Sequence, residues 1–436
     1  MSRHRPHRPT RGGATTIVTI IAAWTLCGTA VAAPLDAHVH LGVASCATGV
    51  CHGKLTEQED RNVWLNEYRI WSADDRHARA YQTLLTPQSK TIARKLGLAS
   101  AQGAKICLDC HADNVPNEKR GSKFQLSDGV GCEACHGGAE NWIESHTEPD
   151  RSHLDNLAAG MLATENINTR AEICLSCHLG TRDQFATHQI MGAGHPRLAF
   201  ELEAYTYNQP AHYAVDQDYL DRKGAPSGFA IWRAGQLETT KRYLRLLQSD
   251  LFAEDAALPD FSFYDCHSCH HSMDDVRWPD FRRQQGLQPG GLRLQDQHLF
   301  MLRAVTSVLA PGQADTLREL HLNYLRAGQR SVLDAKAAAG QLENWLAGQS
   351  WLTEDASNDD VRAVRKAIAT LGARGVLADY SAAEQAALAL QSLSYYLDDF
   401  DTIATQMDSL FDSLSSDKKF DPARFQQVSK QLAKML

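Results

Sequence analysis

The sequence predicts a mainly α-helical protein in two parts: a cysteine- and histidine-rich part with little regular sheet, followed by an all-α helical bundle. Ten of the eleven cysteines lie in close pairs between residues 46 and 269. The links between them are rich in Gly, Pro and Asn, as in residues 114–123, which indicates loops. After a Gly/Pro cluster at residues 285–291 the chain becomes Ala/Leu-rich with helical periodicity.

The first 32 residues have the pattern of a secretory signal peptide. Four arginines precede a long uncharged run that ends in Ala30-Val31-Ala32, a typical cleavage site. We expect cleavage after Ala32 and a periplasmic protein; since the run is long enough to span a bilayer, an uncleaved anchor is the alternative. Cleavage removes four arginines and no acidic residue, which moves the formal net charge from −8 to −12. This acidic chain is not expected to bind nucleic acid.

Each of the five cysteine pairs is followed directly by a histidine. Four motifs read C-x-x-C-H, and the first, CATGVCH, has four residues between its cysteines. The paired cysteines are Cys46/Cys51, Cys107/Cys110, Cys132/Cys135, Cys174/Cys177 and Cys266/Cys269. The histidines that follow them are His52, His111, His136, His178 and His270.

This repeated motif predicts covalently attached haem c. Two thiols one turn apart can bond to one porphyrin, and the next residue places its imidazole under the iron. Zinc sites and redox dithiols use paired cysteines without needing the adjacent histidine, and disulfides do not need it either. We expect five haems. A local disulfide at Cys46/Cys51 is the alternative for the first motif and would leave four.

Several stretches resemble the multihaem cytochrome c-554 type, which is related to hydroxylamine oxidoreductase and the pentahaem nitrite reductases. They are WSADDRHARAYQTL, CLDCHADN, GVGCEACHGGAENWIESH, CLSCH and GAGHPRLAFEL, and the likeness covers roughly residues 38–205. The chain departs from the four-haem pattern in its first motif, its fifth motif at Cys266 and its long C-terminal part. It has no C-x-x-C-K motif of the kind that carries the catalytic haem of the nitrite reductases.

The resemblance implies distal histidine ligands as well. It assigns that role to His77 and His146. Our next candidates are His40 and His195, and His188 competes with His153 for the fifth position. The remaining histidines have weaker claims: we expect His212, His298 and His321 to be ordinary surface or hydrogen-bonding residues. His267 and His271 lie too close to their own motif to cap its haem, though either could reach a neighbouring haem.

The predicted domains are a signal peptide at 1–32, a pentahaem cytochrome c domain at 33–285 and a C-terminal bundle of about five helices at 292–436. In the bundle, Val361, Val364, Ile368 and Leu371 share one helical face. Ser381 and Glu384 are predicted to form a capping box, and Asp421-Pro422 to open the last helix.

The resulting functional hypothesis is a periplasmic electron relay with mostly bis-histidine haems and no catalytic residue. The expected partners are redox proteins, with a membrane-associated donor and a soluble acceptor, and the C-terminal helices are a candidate surface for homo-oligomers. The alternative is an oxidoreductase in which one haem with an open position acts on a small nitrogen oxide or hydroxylamine. A high-spin ferric signal or carbon monoxide binding would separate the two hypotheses.

Overall fold

Helices account for almost all regular structure in the part of the chain that the structure, a computed structural model, describes. That part comprises residues 37–56, 63–253, 259–270, 286–417 and 420–436. The predicted signal peptide and His271 lie outside these ranges. Within them no extended sheet forms, and the only β-type pairings are isolated bridges at His40–Arg120 and Tyr264–Leu294. The mainly α-helical fold class is therefore confirmed.

The helices of the cysteine-rich part are short and are joined by 3-10 turns. In chain order they are α1 (Glu67–Asp74), α2 (Ala80–Thr83), α3 (Pro87–Lys95), α4 (Lys105–His111), α5 (Cys132–His136), α6 (His153–Ala158), α7 (Ile167–His178), α8 (His188–Ala193), α9 (Leu202–Asn208) and α10 (Gln217–Lys223). A longer helix, α11 (Gly228–Gln248), follows them.

Seven further α-helices lie in the described residues after 286, where about five were expected. They are α12 (Gln297–Leu309), α13 (Ala314–Gly328), α14 (Val332–Ala347), α15 (Asn358–Ala373), α16 (Tyr380–Tyr396), α17 (Ala404–Ser413) and α18 (Pro422–Met435). The larger number arises because short turns near Pro311 and Gly328 divide what reads in sequence as continuous helical periodicity.

The local helix predictions had mixed outcomes. In α15, Val361, Val364 and Ile368 are fully buried, as their spacing predicts. Asp421 accepts hydrogen bonds from the first backbone amides of α18, as expected for its cap. The capping box at Ser381 and Glu384 is wrong: α16 begins at Tyr380, and the Glu384 carboxylate instead accepts from Arg197 Nη2 at 2.8 Å. An ion pair to a distant segment outweighs the local cap there.

The apolar core is distributed unevenly. One large cluster joins buried residues of 229–252 and 263–264 to the C-terminal helices, whereas the described cysteine-rich segments hold only small clusters around Leu108 and Leu175. Helix α11 links the two regions, since it packs on α7 and α9 on one side and on α12, α14 and α16 on the other. Among the described helices, none has the length and apolarity needed to cross a bilayer.

Candidate functional site

Three of the five motifs occupy the C-terminal end of a helix. We number the motifs in chain order as site 1 (46–52), site 2 (107–111), site 3 (132–136), site 4 (174–178) and site 5 (266–270). Helices α4, α5 and α7 each end on the motif histidine, so that the two cysteines of each motif lie one turn apart on the same face. Site 5 starts as a 3-10 turn, and site 1 is a loop closed by a hydrogen bond from the His52 amide to the Cys46 carbonyl (3.1 Å).

Site 3 is fixed by the glutamate between its cysteines. Glu133 is almost fully buried, and its carboxylate accepts from three backbone amides: those of Leu41 (2.7 Å), Gly42 (2.7 Å) and Ala139 (2.8 Å). The carboxylate thereby holds the segment before site 1 against site 3.

Each motif histidine faces a second histidine from a distant segment. The distances between ring centroids are 6.2 Å for His52–His146 (site 1), 6.3 Å for His111–His195 (site 2), 6.3 Å for His136–His212 (site 3), 6.2 Å for His178–His77 (site 4) and 6.2 Å for His270–His188 (site 5). The angles between the ring planes, by contrast, range from 14° at site 1 to 86° at sites 3 and 4.

This constant distance matches two imidazoles on one iron. With a metal–nitrogen bond of about 2.0–2.1 Å and an imidazole centre about 1.1 Å from Nε2, opposed ligands have centroids about 6.2–6.4 Å apart. Rings that pack on each other directly occupy a wider range of about 4.5–7 Å. Five pairs at one distance but at different angles therefore fit a common body between the rings better than direct ring packing. The residues present fit bis-histidine haem.

Two contacts bring cysteines of different motifs together. The side chains of Cys46 (site 1) and Cys132 (site 3) lie next to each other, and so do those of Cys110 (site 2) and Cys177 (site 4). Gln184 Nε2 lies 3.3 Å from the Cys110 sulfur and 3.2 Å from the Cys177 sulfur. The ten motif cysteines are free thiols, and the described residues contain no cluster of three or more metal-binding side chains.

The comparison with known families agrees with this geometry. Residues 45–137 match the family described as cytochrome c554 and c-prime. Searches of curated proteins and of solved structures give no significant match. This segment is therefore similar to the cytochromes c554 and c-prime.

Cytochromes of this type carry covalently bound haem c and act in electron transfer. The matched residues include the motifs of sites 1 to 3. Sites 4 and 5 lie beyond the matched residues. There, the support for haem attachment is the recurrence of the motif and the histidine pairs.

The hydrogen bonds of several paired rings engage Nδ1 and leave Nε2 available to a metal. Nδ1 of His52 donates to Glu67 Oε2 (2.8 Å), and Nδ1 of His77 donates to Asp75 Oδ1 (2.9 Å). At site 2 the acceptors are uncharged: His111 Nδ1 lies 2.9 Å from Thr83 Oγ1, and His195 Nδ1 donates to the Pro196 carbonyl (2.7 Å). Haem-binding histidines in general fix their ring orientation in this way.

The charges around the rings also differ between sites. Hydrogen bonds to Glu67 and Asp75 raise the pKa of His52 and of His77, respectively. Burial lowers the pKa of His136 to about 4 and that of His178 to about 4. At neutral pH these last two rings are therefore uncharged, which is the form that binds a metal.

Four of the six predicted distal histidines face a motif histidine, namely His77, His146, His188 and His195. The other two lie against carboxylates: His40 Nδ1 is 2.7 Å from Asp113 Oδ2, and His153 Nε2 is 2.7 Å from Glu165 Oε1. The residue facing His136 is His212, for which the sequence predicted an ordinary role. No local motif marks His212, so its position could be found only from the fold.

The other weak candidates have partners outside the five pairs. His267 Nε2 donates to the Asp417 carbonyl (3.0 Å), His298 Nδ1 donates to Gln236 Oε1 (2.7 Å) and His321 Nε2 donates to Asp296 Oδ2 (2.7 Å). None of the three pairs with a motif histidine.

Proposed function

We propose that the protein is a periplasmic pentahaem cytochrome that relays single electrons through five bis-histidine haems. The observation that carries this proposal is the set of five histidine pairs with centroids 6.2–6.3 Å apart. Haem iron with two strong axial ligands exchanges electrons without binding substrate. A substrate-binding haem would need one motif histidine without a facing ligand, and the geometry supports the relay instead.

Each haem would be held by two thioethers and two histidines. The proposed ligand sets are Cys46, Cys51, His52 and His146; Cys107, Cys110, His111 and His195; Cys132, Cys135, His136 and His212; Cys174, Cys177, His178 and His77; and Cys266, Cys269, His270 and His188. The sparse apolar packing around sites 1 to 4 suits this assignment, because the porphyrins would supply the missing core.

The contacts between motifs suggest the order of the relay. The cysteine contacts connect site 1 to site 3 and site 2 to site 4, and Cys135 lies near Cys174, which connects sites 3 and 4. Site 5 adjoins site 2, because His188 starts the short helix α8 and His195 lies two residues after the end of that helix. We therefore order the sites 1, 3, 4, 2, 5.

The charge of the chain and its proposed periplasmic location indicate which redox partners suit it. Without residues 1–32 the chain has a formal charge of −12, so redox proteins with basic docking surfaces suit it, and added salt should weaken their association. A membrane-associated donor and a soluble acceptor fit a periplasmic relay.

The first test is to count the haems and to examine their spin state. We expect the intact mass of the mature protein to include five haems, and the ferric protein to be low-spin and not to bind carbon monoxide when reduced. A Cys46→Ser/Cys51→Ser variant should carry four haems, which tests the unusual motif against a matched wild type. Four haems in both proteins would overturn site 1, and a stoichiometric high-spin haem would support the enzyme alternative instead.

A further inference from the structure

The second ring nitrogen of the proposed ligands meets a charged acceptor at two sites and uncharged acceptors at a third. Glu67 contacts His52 at site 1, and Asp75 contacts His77 at site 4. At site 2, His111 and His195 have only hydroxyl and carbonyl partners at Nδ1. Sites 1 and 4 therefore have a carboxylate next to one proposed ligand, whereas the Nδ1 partners at site 2 are uncharged. All three sites have a histidine pair.

Both carboxylates belong to the ends of one short helix. Glu67 is the first residue of α1 and Asp75 directly follows its last residue, so the helix extends from site 1 to site 4. The helix is anchored to site 3 as well, since Trp71 Nε1 donates to the Val130 carbonyl (3.1 Å). Helix α1 thus presents one negative charge to each of two haem sites.

Both carboxylates are also held firmly. The Asp75 side chain is only 6% exposed; its Oδ1 accepts from the amide and the ring of His77, while Oδ2 accepts from Gln209 Nε2 (3.2 Å). Glu67 Oε1 accepts from the Leu65 amide (3.0 Å) while its other oxygen contacts His52. Shielded from water, a negative charge acts more strongly on its neighbour.

A carboxylate that accepts the Nδ1 proton makes the imidazole a stronger electron donor to a metal. Stronger donation favours ferric over ferrous iron, so it lowers the reduction potential. We infer that Glu67 and Asp75 are potential-setting residues, which keep the haems of sites 1 and 4 at lower reduction potentials than the haem of site 2. This inference rests on the proposed bis-histidine ligation.

The ring planes make site 1 observable by itself. The low-spin ferric electron paramagnetic resonance signal depends on the angle between the axial imidazoles, and the 14° of site 1 contrasts with 78° at site 2 and 86° at sites 3 and 4. In a stepwise reduction of the wild-type holoprotein, we expect at least one of the three near-perpendicular signals, that of site 2, to disappear before the near-parallel one. If the near-parallel signal disappears before every near-perpendicular one, the inference is overturned, while the proposed bis-histidine ligation still stands.

The variants Asp75→Asn and Glu67→Gln remove each charge and keep an oxygen acceptor. Asp75→Asn is the sharper change, because its Oδ1 keeps both contacts to His77 and a rotated Gln209 amide can accept from the new NH₂ group. Each variant should raise one midpoint potential by about 59 mV, which corresponds to a change on the order of tenfold in the one-electron equilibrium constant. Glu67→Gln should move the near-parallel signal, and Asp75→Asn a near-perpendicular one.

Glu165→Gln is the matched control, because Glu165 pairs with His153, which faces no motif histidine. It should leave the midpoints of sites 1 and 4 unchanged. If Asp75→Asn and Glu67→Gln stay low-spin with unmoved midpoints, the carboxylates only orient the rings and the inference fails. If the wild type is itself high-spin at site 1, the proposed ligation fails instead. A variant that does not load haem leaves the wild-type reduction order as the deciding measurement.

Discussion

His212 and His153 differ in the group that each imidazole faces. His212 lies opposite His136, whose burial lowers its pKa to about 4 and keeps that ring neutral. His153 contacts the Glu165 carboxylate at 2.7 Å through Nε2 and faces no motif histidine. At the residue scale, the structure therefore brings His212, and not His153, opposite the motif histidine of site 3, which favours His212 as the proposed distal ligand.

Replacing His212 by alanine should open site 3. We expect His212→Ala to retain five covalent haems, since the thioethers are intact, but to gain one high-spin ferric haem and to bind one carbon monoxide per protein when reduced. Optical and electron paramagnetic resonance spectra measure both changes. His153→Ala is the control and should stay low-spin. The opposite result, an open haem in His153→Ala only, would reassign the ligand.

The contrast between these two residues shows what sequence reasoning can reach. An attachment site is contained in five to seven consecutive residues, so its cysteines and histidine can be recognised without knowledge of the fold. A distal histidine only has to be close in space: His146 faces His52 and not the nearby His136. The c554-type resemblance pointed to His77 and His146, but His212 lies outside the segment that carries it.

At the scale of elements, α8 and the turn that follows it present one proposed ligand to each of two sites. His188 opens the helix and faces His270, while His195 follows Gly194 and faces His111. Gly194 has φ +121°, a conformation that residues with side chains rarely adopt, and this turn ends the helix just before His195. Helix α8 and the turn after it thus set the separation of sites 2 and 5 and the direction of the His195 side chain.

Gly194→Ala should disturb site 2 and spare site 5. A side chain at positive φ costs about 1–2 kcal/mol, which the chain can relieve by moving His195. We expect a partial high-spin signal and partial carbon monoxide binding from one haem. Gly192→Ala is the control, because Gly192 lies in the same helix with ordinary φ and no atom within 4 Å of an added Cβ. If the two variants behave alike, the turn at Gly194 does not position the ligand.

For the whole molecule, the main structural fact is that the apolar core crosses the predicted boundary at 285–291. Helix α11 comes before that boundary, yet it packs on α12, α14 and α16. Site 5 also contacts residues that follow the boundary: the Asp265 amide donates to the Arg293 carbonyl (2.8 Å), and His267 contacts Asp417. Composition marks the boundary well, because a Gly/Pro cluster interrupts the helical pattern, but it contains no information on which surfaces pack together.

Removing residues 292–436 should therefore damage the part that remains. The cut would expose large side chains that are now at most 2% exposed, including Phe229, Trp232, Phe252 and Phe263. At about 1.5–3 kcal/mol for each buried side chain, their loss approaches the whole net stability of a typical domain, about 5–15 kcal/mol. We expect the truncated protein to unfold at a lower temperature, to bind a hydrophobic dye and to carry fewer than five haems, with site 5 lost first.

Co-expression of residues 292–436 as a separate chain is the control: if packing rather than chain continuity matters, it should restore the fifth haem. A truncated protein that keeps five haems and the wild-type unfolding temperature would show instead that the two predicted domains fold independently.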